Sequence, residues 1–142
     1  MTDDRNIYKP IKAKLTGVID ETPLIKTFVL VPETPFKFET GQFIELSVDG
    51  IGEAPFTPSS SPLVTDKLEV TVMKTGYVTE YMHRLEPGVF MGIRGPYGRG
   101  YPLEKFYGKV VMILGGGCGL APIRSLLYAL EDVKDKLEKV IL

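Results

Sequence analysis

The 142-residue chain has no tryptophan, a single cysteine, Cys118, and a single histidine, His83. One thiol cannot close an internal disulfide, and without a Cys/His cluster there is no zinc or iron–sulfur site within the chain. Ser-His-Asp or Cys-His nucleophilic catalysis would have to run through His83 alone. Charge of one sign is lacking as well: 17 Lys and Arg stand against 18 Asp and Glu, a net charge of -1. The clustered cations that neutralise phosphates are therefore missing, which argues against a nucleic-acid partner. Apolar runs such as 110–114 fall far short of the ~20 residues that span a bilayer, so no membrane crossing is expected. The polar, acidic residues 1–6 do not resemble a basic-then-apolar secretory signal, and the expected location is cytoplasmic.

What remains is an ordinary globular composition, 44% hydrophobic and 25% charged. A chain of this length buries roughly two thirds of its unfolded surface, enough for one domain with a real core. Ten of the 11 prolines lie at or before Pro102, and from residue 9 to 95 short β-branched or apolar runs alternate with turn residues. Strands are predicted at 11–18, 25–31, 43–48, 68–73 and 90–94, with a short helix at 79–85. Such spacing fits a small antiparallel barrel or sandwich.

After about residue 105 the pattern changes. Residues 109–114 read as a continuously apolar strand, as in a parallel sheet buried on both faces. A helix is predicted after Pro122, with Ile123, Leu126, Leu127 and Leu130 forming one apolar stripe. A further strand at 139–142 ends the chain, which reads as a barrel followed by the beginning of a second, α/β domain.

Four segments could carry chemistry. Between the 109–114 strand and the helix stand Gly115, Gly116, Gly117, Cys118 and Gly119. Small residues there let backbone approach a ligand, and the helix N-terminus attracts phosphate. The same segment also reads as a plain tight turn. It departs from the strict dinucleotide fingerprint, because counting from Gly117 the third glycine position holds Pro122. In the second segment, prolines 55, 58 and 62 stiffen an extended path that displays Phe56, Thr57, Ser59, Ser60 and Ser61 at fixed positions; a proline-rich edge strand or solvated loop is the plainer reading. In the third, Lys74-Thr75-Gly76-Tyr77-Val78-Thr79, a turn enters the short helix and could offer N–H groups to another phosphate. The fourth, 93–100, is a glycine-proline corner before the second stretch. His83 reads as a surface residue, and the charged run 131–139 as the solvated end of a helix.

Three of these stretches, 52–62, 92–98 and 115–122, follow one another in the order found in the ferredoxin-NAD(P)+ reductase superfamily, which the chain resembles from residue 9 to 142. Within it the likeness is to the hydrogenase gamma, anaerobic sulfite reductase B and dihydroorotate dehydrogenase electron-transfer subunits. The resemblance implies a mainly β protein, with a six-stranded antiparallel Greek-key barrel that binds FAD (residues 1–104) and the first β-α-β of a Rossmann-like NAD(P)-binding domain (105–142). It implies flavin contacts from Pro55, Phe56, Thr57, Pro58 and Ser59, with the Phe56 ring by the isoalloxazine. Thr71, Val72 and Met73 would flank the ribityl or adenine side, and Gly76, Val78 and Thr79 would hold the pyrophosphate. Gly115, Gly116, Gly117, Cys118, Gly119 and Pro122 would take NAD(P)H, with Cys118 nearest the nicotinamide. The implied function is an FAD-dependent NAD(P)H oxidoreductase subunit that exchanges electrons with an iron–sulfur, hydrogenase or reductase subunit. A [2Fe-2S] cluster would need residues outside this chain, and no catalytic side chain or metal ligand is implied. Ala54 stands where much of the superfamily has a phosphate-pairing arginine. A barrel that has lost flavin and serves as a docking module in a larger redox complex is the competing expectation.

Overall fold

The computed structural model describes residue 6 and residues 8–142; most of the polar start at 1–6 lies outside the described residues. Six strands make one antiparallel sheet: β1 (Ile11–Thr22), β2 (Ile25–Pro32), β3 (Phe43–Val48), β4 (Gly52–Phe56), β5 (Leu68–Met73) and β6 (Phe90–Tyr97). Their spatial order, β4-β3-β6-β1-β2-β5, is that of a Greek key. Alternation decides which face is inside. Ala13 and Leu15 of β1 are fully buried between exposed lysines 12 and 14, and Ile44, Leu46 and Val48 do the same in β3. With Phe28, Leu30, Leu68, Val70, Val72, Met91 and Ile93 these side chains form one core, each of those larger than alanine contributing about 1.5–3 kcal/mol by burial. A register shift between Leu15 and Gly17 bends β1, the local coiling that lets a sheet curl on itself.

The two edge strands meet. Beyond β4 the chain makes an antiparallel bridge from Pro58 to Val70 of β5. The Ser59 N–H donates to the Glu69 carbonyl at 2.8 Å, and the Glu69 N–H donates to Ser60 Oγ at 3.1 Å. Proline cannot extend a ladder because it has no N–H, so serine hydroxyls finish the seam.

A short helix, α1 (Tyr77–Met82), follows β5. It covers the core through Met82, which is fully buried. His83, just past it, is half-buried rather than on the surface: its Nε2 lies 3.0 Å from the Val72 carbonyl oxygen, and its ring centre 6.1 Å from that of Phe28. No local sequence pattern announces this contact.

The remaining elements are β7 (Val110–Met112), α2 (Leu120–Asp132) and β8 (Lys139–Ile141), with β7 and β8 paired in parallel as a separate two-stranded sheet. The predicted stripe packs as expected: Leu126 and Leu130 are buried against Ile113, and Ile123 and Leu127 flank them. The expectation of a strand buried on both faces is corrected. Val110, Met112 and Leu114 are exposed, Leu114 at 82%, because only one layer of helix covers a sheet two strands wide. The charged run is likewise not one helix end. α2 stops at Asp132, and a separate 3-10 turn occupies Lys134–Lys136.

Candidate functional site

The segment with prolines 55, 58 and 62 is part strand and part seam. Register pairs Ala54 with Leu46 and Phe56 with Ile44, so these two side chains share the core side of β4, while Glu53 and Pro55 face outward. Phe56 is half-buried and packs against the edge of the core. Thr57 is half-buried, and Pro58 and Ser59 are buried. Ser59 Oγ lies 3.2 Å from the Glu69 carbonyl and 3.1 Å from Thr71 Oγ1. Thr71 is in turn 2.8 Å from Thr27 Oγ1, which donates to Glu21. The hydroxyls of Ser59 and Thr71 thus sit in a chain of hydrogen bonds within the barrel.

Arg94 of β6 reaches across β3 to β4. Its Nε and Nη2 donate to the two carboxylate oxygens of Glu53, and its Nη1 lies 3.4 Å from the Tyr97 hydroxyl. The hydrogen bond that Arg94 donates to Glu53 is the main cause raising the Arg94 pKa above its ordinary value. This guanidinium is engaged one residue away from Ala54, on the opposite face of the strand.

At the end of β5 the chain turns into α1. Thr79, buried, accepts hydrogen bonds from the N–H groups of Thr75 and Gly76, both at 2.9 Å, and donates to the Gly76 carbonyl. Its hydroxyl therefore shapes the turn. Gly76 is exposed with open space where a side chain would be, and the first N–H groups of a helix have no partner within it. α1 packs on β4, which brings the Phe56 strand and this turn to one end of the barrel. Val78 lies close enough to β4 that a side chain at Gly52 would sit 3.3 Å from its Cγ2.

The glycine loop comes to the same place from the other side. A 3-10 turn, Gly117–Gly119, leads into α2, and Cys118 Sγ lies 3.5 Å from Sδ of Met73 at the end of β5. Gly117 has φ +57°, a conformation that costs other L residues strain. At Gly115 an added Cβ would approach Ile123 Cδ1 to 2.8 Å, so that glycine lets the helix sit close to its strand. Around Gly116, Gly117 and Gly119 nothing lies within 4 Å of an added Cβ: the loop presents bare, accessible backbone. Pro122 occupies the first turn of α2, where its missing N–H leaves no bond unmade. Met73 thus joins the glycine loop to the β5–α1 turn, and Val78 joins that turn to the start of β4, whereas Ser59 and Thr71 are tied into the barrel wall.

Two further contacts escaped sequence reasoning. Arg124 of α2 pairs with Glu69 of β5, Nη2 to Oε2 2.9 Å, and its Nε donates to the Tyr128 hydroxyl at 3.2 Å. Burial alone would lower the Arg124 pKa; the Tyr128 hydrogen bond and the Glu69 charge outweigh it, and the net shift is upward. The other is the His83 bond to β5. Both join residues distant in sequence, and only the fold brings them together. Among the described residues no group of three His, Cys, Asp or Glu side chains could hold a metal ion, and no helix is long and apolar enough to cross a membrane.

Comparison with known proteins fits this architecture. The chain is 36% identical over 138 residues to the sulfhydrogenase 1 subunit gamma of Pyrococcus furiosus, covering 93% of this chain and 47% of that protein. It is 36% identical over 118 residues to a probable dihydroorotate dehydrogenase B (NAD(+)) electron transfer subunit of Methanocella arvoryzae, covering 83% and 42%. The chain thus spans about half the length of the curated relatives it matches. Among solved structures, the Amycolatopsis cytochrome P450 reductase GcoB superposes with a TM-score of 0.79 at 24% identity, over 94% of this chain and 42% of that one. Phthalate dioxygenase reductase, described as a modular structure for electron transfer from pyridine nucleotides to [2Fe-2S], gives 0.77 at 17%, over 92% and 42%. Residues 13–101 match the family model described as the oxidoreductase FAD-binding domain, and with most of the barrel inside that match the chain belongs to this family.

Proposed function

We propose that the chain is the flavin-bearing part of an electron-transfer subunit, with residues 1–104 as the FAD barrel and 105–142 as the start of the NAD(P)-binding unit. In this reading electrons pass between NAD(P)H and an iron–sulfur partner subunit in the cytoplasm. The observation that carries it is the approach of the glycine loop to the end of β5, where the chain turns into α1, marked by the 3.5 Å distance from Cys118 to Met73. The residues present fit a flavin dinucleotide: Phe56 and Thr57 are half-buried at the barrel end, and the backbone is bare at Gly76 and again along residues 116–119.

FAD, when bound, supplies the conversion between two-electron hydride transfer and one-electron transfer; the protein's part is positioning and electrostatics. Phe56 and Pro55 would shape the ring side of the site. The turn at Gly76 and Val78, held by Thr79, would receive the pyrophosphate, and residues 115–122 the nicotinamide dinucleotide. No side chain here needs to move a proton. Without an arginine at position 54, one charge-assisted contact of about 1.5–3 kcal/mol is absent, and phosphate binding falls to backbone N–H groups. A [2Fe-2S] centre belongs, in this reading, to residues or a subunit other than these.

The engaged state of Arg94 also favours a second reading, a barrel that docks in a redox complex without flavin. Purification under native conditions followed by FAD reconstitution and an absorption spectrum separates the two. Retained flavin absorbance supports the first. A colourless protein that elutes with a partner supports the second.

A further inference from the structure

The barrel and the α/β unit have separate apolar clusters, and the space between them is largely open. One cavity of about 460 Å³ is lined from the barrel side by Phe38 and Thr40 and from α2 and its C-terminal cap by Ala129 and Val133. A second, about 210 Å³, surrounds Glu69, Arg124 and Tyr128. Between open spaces of this kind, point contacts govern how one body rests on the other. Two of them fall on the same strand. Glu69 and Met73 stand four residues apart on one face of β5, about 13 Å along it, and they meet Arg124 and Cys118 of the opposing unit.

We infer that Arg124 is a positioning residue: its pairing with Glu69 sets α2 along β5 and so fixes the glycine loop against the flavin side of the barrel. Glu69 is well suited to the task. Its backbone is locked by the barrel seam through Ser59 and Ser60. Its side chain, only 12% exposed, also receives Lys67 at 3.2 Å. The anchor is rigid, and the arm that reaches it comes from the first turns of the helix that carries the loop. For the reaction the inference rests on the flavin reading above, since hydride transfer demands reacting atoms about 3–3.5 Å apart and loses up to 10²-fold from a 1 Å misplacement.

The placement itself can be tested without any cofactor, because the single thiol reports on the loop. Cys118, packed against Met73, should react slowly with an aromatic disulfide reagent in the apo-protein. In Arg124→Gln the rate should rise about fivefold, the factor expected for loss of a partly exposed ion pair. Arg124→Lys should stay near the wild-type rate. Molar salt should accelerate the wild type toward the Gln variant and leave that variant unchanged. Glu69→Gln gives an independent arm with the same expected rise, and melting temperatures show that each variant is folded. A Gln variant reacting at the wild-type rate, or a Lys variant as fast as the Gln variant, overturns the inference. Loss of the flavin reading shows differently: no FAD is retained by any variant, while the thiol rates still follow the charge at residue 124.

Discussion

Thr79→Val removes a hydroxyl and keeps the shape, which makes the β5–α1 turn a sharp test of the hydrogen-bond argument. The hydroxyl accepts from two backbone N–H groups at 2.9 Å each and donates to a third backbone group, while the residue itself is only 8% exposed. A fully buried, unsatisfied donor costs about 1–3 kcal/mol. Thr75 and Gly76 are exposed, however, so their N–H groups can turn partly to water, and the loss should resemble that of a helix cap, about 1.5 kcal/mol. For a chain of this length that corresponds to a fall of about 5 °C in melting temperature. Urea unfolding of the wild type, Thr79→Val and Thr79→Ser measures it. The Ser variant keeps the oxygen and should recover most of the loss. Flavin affinity should fall with the Val variant more than with the Ser variant, because the turn that would receive the pyrophosphate loosens. Equal stability of Thr79→Val and the wild type would refute the bonding scheme, as would a Ser variant no better than Val.

His83→Leu should cost about 1 kcal/mol by removing its bond to the Val72 carbonyl, and His83→Gln should recover part of it in the same urea series. Leu130→Ala, at the centre of the smaller cluster, should destabilise by about 2–4 kcal/mol, with amide exchange accelerating in α2 before the barrel strands. Gly117→Ala should cost about 1 kcal/mol because of its positive φ. Gly119→Ala, in right-handed helical backbone with free space around it, should leave stability unchanged while weakening nicotinamide dinucleotide binding in titration calorimetry.

Alternation made the barrel legible. β3 and β5 run over the predicted residues because buried and half-exposed side chains alternate cleanly along them. β4 was hidden by its composition: glycine at its start and Pro55 within it suppress the strand signal, and only pairing with β3 makes it a strand. β6 continues through Gly95 and Pro96 to Tyr97, past the corner that local reading takes as its end. The glycine loop and α2 were visible from spacing. Of the site, composition and order pointed to the turn at Gly76 and to residues 115–122, and the structure brings these together at Met73. It could not foretell that Ser59 and Thr71 bond to each other, that Arg94 is held by Glu53, or that Arg124 and His83 reach β5. Each of these depends on which strands become neighbours.

The seam between β4 and β5 also bears on colloidal behaviour. Open sheet edges invite a neighbouring molecule to add a strand, the first step toward fibrils and precipitates. Here Pro58 withholds a donor, and the Ser60 hydroxyl occupies the Glu69 N–H, a group that a visiting strand would need. The side chains that close the barrel thereby also cap it against self-association at that edge.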